Sequence, residues 1–199
     1  MQIHLTFGQE LDSARWSKED ASLGCQKLGL KGMQSFLESK LGIPGKEPNP
    51  AVRIAQYQRK LREYYKDKDL STWGYKSFNT DAWSTAKQLL AWRDELIEGG
   101  WNHKDYTEGV SERLDVLAAV ENTGPKLDPG PSDRLREVLR KLNELNKGET
   151  TLWPVELTLA HPKELFPPVW QEILDELPKV VTFGDDPPNM DSSVKEYLD

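Results

Sequence analysis

The chain has 199 residues, 37% hydrophobic and 30% charged, with a net charge of −7. That size fits one medium domain, and that charge excludes a uniformly basic nucleic-acid footprint while leaving room for a local basic patch. The sequence has no run of about 18 apolar residues, so no membrane span is expected. The single cysteine, Cys25, cannot close an internal disulfide. A reducing, cytoplasmic setting follows by elimination. The start MQIHLTFGQELD alternates and turns acidic early, unlike a signal or transit peptide. Seven tryptophans raise the burial available, at roughly 150–250 Å² for each ring.

In chain order, QIHLTFG (2–8) alternates Ile3, Leu5 and Phe7 and predicts a strand that stops at Gly8. Residues 9–22 are polar and read as a loop. A short strand over Cys25–Leu28 then runs through Gly29 and Gly32 into a helix striped by Met33, Phe36, Leu37 and Leu41. IPGKEPNP is turn-rich. Asn49-Pro50 starts the next helix, with Asn as cap and Pro at the first helical position, and Ile54, Tyr57, Leu61 and Tyr64 follow at helical spacing. Asp67–Asn79 reads as a connector with three aromatics. Thr80 or Asp81 caps a long helix that ends at Gly99-Gly100. Helices are expected over about 108–122 and 132–147, a strand over 152–160, a proline-started helix in PPVWQEILDELP, a last strand in KVVTFG, and a polar loop in DDPPNMD. Strands separated by helices predict an α/β fold. It should have a mainly parallel sheet of about four strands, with residues 50–148 as a helical insertion in a single domain spanning 1–199.

Candidate chemistry is sparse. A phosphate loop needs G-x-x-x-x-G-K-[ST], whose glycines turn backbone N–H groups toward phosphate. LGLKGMQSF supplies Gly29 and Gly32 without the Gly-Lys-Ser/Thr, and GIPGKE puts Glu47 where the hydroxyl belongs. A phosphate-loop-like turn is therefore the expectation, with no ATP or Mg²⁺ cofactor. His4, His103 and His161 stand singly, without zinc spacing. Asp185 and Asp186 follow the last strand, where open α/β sheets bind ligands. They are a candidate metal pair, against the plainer reading of a solvated acidic loop. Cys25 is expected to be buried and inert. No nucleophile elbow and no complete P-D…(D/E)-x-K nuclease core is present, and no catalytic residue is assigned. In RKLREYYKDK, the cations Arg59, Lys60, Arg62 and Lys66 beside tyrosines are a candidate nucleic-acid contact, weighed against a solvated helix flank.

Arg93 interrupts the stripe Ala86, Leu90, Ile97. An unpaired buried guanidinium is very costly. It must snorkel, stack on a tryptophan, meet an acid or bind a phosphate. Asp94 and Glu95, one and two residues on, are expected to point elsewhere.

The stretch YKSFNTDAWSTAKQLLAWRDELIEGGW resembles a segment of the form SF…D.W..A..LL.WRD.L...GW in the N-terminal region of bacterial AddB/RecB-type helicase–nuclease subunits. LGLKGMQSFLESKLGIP and VELTLAHPKELFPPVWQEILDEL are similar to that region's GP.GLL..LE..LGL and LPP.W stretches. The resemblance spans roughly residues 22–184. It implies a helicase-like α/β domain with a degenerate nucleotide loop, scaffolding a DNA-repair subunit. Its partner would be a second helicase–nuclease subunit or the rest of a longer chain, and DNA contact is a further expectation. The nuclease and other helicase motifs of that family do not occur in these residues. A stand-alone α/β enzyme, with a metal or phosphate pocket at the strand ends, and a protein-interaction module remain as alternatives.

Overall fold

A computed structural model describes residues 3–12, 25–43, 48–104, 107–146, 155–177 and 180–181. The fold is mixed α/β with mainly helical content around a small open parallel sheet. Strand β1 (Ile3–Phe7) is central, between β2 (Cys25–Leu28) and β3 (Val155–Leu159). The two residues of β4 (Val180–Val181) continue the sheet beyond β3. Leu5 pairs with Leu157, and Phe7 with Leu159 and Leu28. Alternation sends these apolar side chains to one face. There they meet α1 (Leu30–Lys40), α6 (Pro131–Asn146) and α7 (Pro168–Glu176). Phe7 stacks on Phe166 at 4.8 Å and lies 5.1 Å from Trp170.

The opposite face carries His4, Thr6, Glu156 and Thr158, none of them buried. His4 and Glu156 pair across the strands at 3.0 Å, with side chains 51% and 39% exposed. A parallel sheet ordinarily has both faces covered. Among the described residues the helices bury one.

A second core is built by α2 (Pro50–Tyr65), α3 (Tyr75–Thr80), α4 (Ala82–Glu98) and α5 (Glu112–Glu121). The expected caps form. Asn49 accepts from the Ala51 N–H, and Asp81 accepts from Trp83 and Ser84 N–H groups. Between 67 and 79 the structure differs from the expected connector, because Tyr75–Thr80 is helical. Six residues are too few for a periodic signal. Phe78 buries against Tyr65, and the Tyr65 hydroxyl donates to the Trp73 carbonyl at 2.9 Å, which fixes the turn. The insertion also proves to be divided. Leu135, Val138 and Leu142 place α6 in the sheet's core, apart from that of α2–α5.

Candidate functional site

The polar centre of the molecule is a buried seam of charges where the two cores meet. Arg93 lies on α4 between Leu90 and Ile97 and is 6% exposed. Its Nε donates to Glu121 at 2.9 Å, and Nη2 donates to Asp133 at 2.6 Å and to Glu121 at 3.1 Å. Nη1 reaches Asp94 at 2.8 Å and Asp133 at 3.1 Å. Asp94 therefore shares the site, contrary to the expectation from its i+1 position. The expectation considered Cβ directions, whereas a long guanidinium bends toward an acid that faces α2. There Arg53 binds Asp94 through both terminal nitrogens at 2.5 and 2.9 Å, reaches Asp133 at 3.0 Å, and donates Nε to the Asp128 carbonyl at 3.0 Å.

Burial alone would lower the Arg93 pKa, but the hydrogen bonds it donates to Asp133 and Glu121 outweigh burial and raise it. Arg53 behaves likewise through Asp94. Burial pulls Asp133 upward, but Arg93, the Gly130 N–H and Arg53 together hold it below the usual carboxylate range. Fixed hydrogen bonds on every charge are the condition under which buried ions are tolerated.

Lys60, two turns along α2 from Arg53, is 4% exposed. Its ammonium donates to the carbonyls of Glu121, Thr123 and Pro125 at 3.2, 2.6 and 3.4 Å. It closes the C-terminus of α5, a cation at the negative end of a helix. With Lys60, three cations face the three carboxylates of the seam. The seam extends along the start of α6, where Arg134 binds Glu38 of α1 at 2.9 Å and Ser132 binds Glu98 of α4 at 2.9 Å.

The Gly29–Gly32 turn opens α1 with N–H groups aimed outward, as a phosphate loop would. These groups hold a carboxylate of the chain itself. Asp12, on the turn after β1, accepts from the Lys31 N–H at 2.7 Å and the Gly32 N–H at 3.0 Å. A Cβ on Gly29 would lie 2.3 Å from the Asp12 backbone nitrogen, so glycine here serves the close approach of Asp12. An acidic side chain at a helix N-terminus is the protein-internal version of an anion site.

The remaining sequence candidates separate. Arg59 and Arg62 are exposed on α2, and Lys66 is exposed just past its end. Lys60 is not with them, since its ammonium is buried on three carbonyls, and that corrects its place in the nucleic-acid patch. Asp185 and Asp186 lie outside the described residues. Cys25 is exposed, not buried, because β2 is an edge strand whose first three residues face solvent. Among the described residues no three His, Cys, Asp or Glu side chains are grouped to hold a metal ion. No helix among them is long and apolar enough to cross a membrane.

Sequence reasoning missed Arg53, Glu121, Asp133 and Asp12. Asp133 had a local signal. In GPSD the acid three residues past Gly130 reaches back to the Gly130 N–H at 2.8 Å, the return half of a capping box. The others depend on tertiary contacts.

Two surface cavities are lined by residues outside the seam. A groove of about 610 Å³ is lined by Trp92, Leu96, Trp101, Leu114 and Leu117 with Glu95 and Arg113 at its edge. A second, of about 710 Å³, lies beyond Gly100, which lines both. Comparison of the chain with family models, curated proteins and solved structures found no significant match in any of the three.

Proposed function

We propose that this chain is a non-catalytic, helicase-like scaffolding region of a DNA-repair helicase–nuclease subunit. It would use the uncovered face of its sheet to seat either a partner subunit or further polypeptide of its own protein. The observation that carries the reading is the half-covered parallel sheet: His4, Thr6, Glu156 and Thr158 form a face that folds of this kind cover. The sequence resemblance supplies the class of partner. Two occupied anion positions support the non-catalytic part. Asp12 holds the first-turn N–H groups of α1, and Arg93 is held by Asp94, Glu121 and Asp133. The stand-alone enzyme, with Arg93 as a ligand group, loses support on the same ground.

The test is co-expression of the chain with the polypeptide encoded downstream in the same reading frame. A complex that shields the His4–Glu156 face from hydrogen exchange is expected. A downstream frame without a nuclease, or a complex that leaves that face exchanging freely, overturns the scaffolding reading. Magnesium–ATP is expected to leave the Lys31 and Gly32 amide resonances in place. Their displacement would restore the nucleotide loop.

A further inference from the structure

The cavity of about 710 Å³ lies between the 100–104 loop, α6 and α7, and its wall carries His103, Lys104, Arg136, Arg140, Asn143 and Glu172. Arg140 is already neutralised by Glu137 and Glu144 on its own helix. Arg136 and Lys104 differ: the Lys104 backbone N–H donates to Asn102 at 3.2 Å, but among the described residues neither side chain forms an ion pair or a hydrogen bond. Arg136 is nonetheless half-buried. Burial, then the Arg93 charge, push its pKa down, and Asp133, Glu121 and Glu172 offset this incompletely. Burial lowers the pKa of His103 too, reinforced by Arg136, Lys104 and Arg93 against the opposing charge of Glu121.

Among the described residues the other buried arginines each hold a carboxylate: Arg53 on Asp94, Arg93 on Glu121, Arg134 on Glu38. A half-buried guanidinium facing an ammonium and an imidazole, with the exposed Glu172 as the one acid among the described residues of the wall, is an arrangement that an incoming anion completes. We propose that this cavity binds a phosphate-bearing ligand, with Arg136 and Lys104 donating charge-assisted hydrogen bonds to the phosphoryl oxygens and His103 donating when protonated.

The planar fork of arginine and the point charge of lysine are the usual pair for phosphate. The cavity is larger than one phosphate needs. It shares Gly100 with the groove of Trp92 and Trp101, and the His103 ring lies 6.2 Å from that of Trp101. A ring carried by the ligand can therefore lie toward the tryptophans while its phosphate meets Arg136. Both a free phosphate ester and the backbone of a single strand present this chemistry. The site stands on the cavity alone and is independent of the scaffolding reading.

The experiment is a proton NMR titration of the full chain with inorganic pyrophosphate and, separately, with an oligothymidylate, following the His103 ring and the Trp101 indole N–H. Bound phosphate is expected to raise the His103 pKa, because an anion beside the ring favours its charged form. K104Q and R136Q should each weaken pyrophosphate binding about tenfold, the scale of one charge-assisted contact. An oligonucleotide that binds and is displaced by pyrophosphate identifies a strand backbone as the source. Pyrophosphate binding without oligonucleotide binding identifies a free ester. If neither probe moves His103, or if K104Q leaves the affinity unchanged, the site is overturned. Lys104 is exposed, so K104Q keeps its force even if R136Q fails to fold.

Discussion

At the scale of single residues, Arg93 shows how a charge comes to lie in an apolar stripe. Its 4, 3, 4 spacing with Ala86, Leu90 and Ile97 is local, so its inward direction was legible in the sequence. Its partners were not, because Glu121 and Asp133 lie 28 and 40 residues away. R93M should cost about 3–5 kcal/mol in urea unfolding, since it leaves Glu121 and Asp133 buried with a partner removed. Tyr57 makes the opposite case. Its hydroxyl is buried with no hydrogen-bond partner among the described residues, and burial raises its pKa far above the ordinary phenol value. Y57F removes an unsatisfied polar atom without changing the packing. It is expected to be neutral or to stabilise by up to about 1 kcal/mol. A clear loss of stability in the same urea experiment would show that the hydroxyl does have a partner.

At the scale of elements, the helix starts were the readable part. Asn49-Pro50 and Asp81 act through side chains within three residues, so their chemistry is complete in the local sequence. The short helix α3 was not readable, because it is held by Tyr65 from another element. The start of α6 combines both kinds of information. Asp133 caps Gly130 locally and binds Arg53 and Arg93 at a distance. Gly130 is needed there for space: an added Cβ would sit 2.3 Å from the Arg53 Cζ. G130A should displace the Arg53 guanidinium and cost about 1–3 kcal/mol, the range of overpacked buried sites. Thermal unfolding of G130A checks this, and a midpoint equal to that of the parent chain would show that Arg53 can move aside freely.

At the scale of the whole molecule, two apolar cores meet along the ionic seam. The order of strands and helices gave the mixed class and the parallel pairing. It did not reveal that α6 belongs with the sheet, because its stripe of Leu135, Val138 and Leu142 looks like that of any other helix in the insertion. The seam ties global stability to acid. Asp133 has a folded pKa below its ordinary value of 3.8. Its contribution is complete above the unfolded pKa and is lost as the pH falls through the folded one. The urea midpoint should therefore drop below about pH 4, and D133N should flatten that drop. An undiminished slope in D133N would assign the acid sensitivity to other carboxylates. The central position of β1 has a consequence for synthesis. Ile3 pairs with Val155, so one edge of β1 waits until β3 has been made. Meanwhile α2–α5 can pack around their own core as they leave the ribosome, since domains form in the order they are translated. Long-range strand pairing is slow, and an open edge is adhesive. The nascent chain thus carries Ile3–Phe7 unpaired on that side until Val155–Leu159 is made, the interval in which a chaperone would have most to protect.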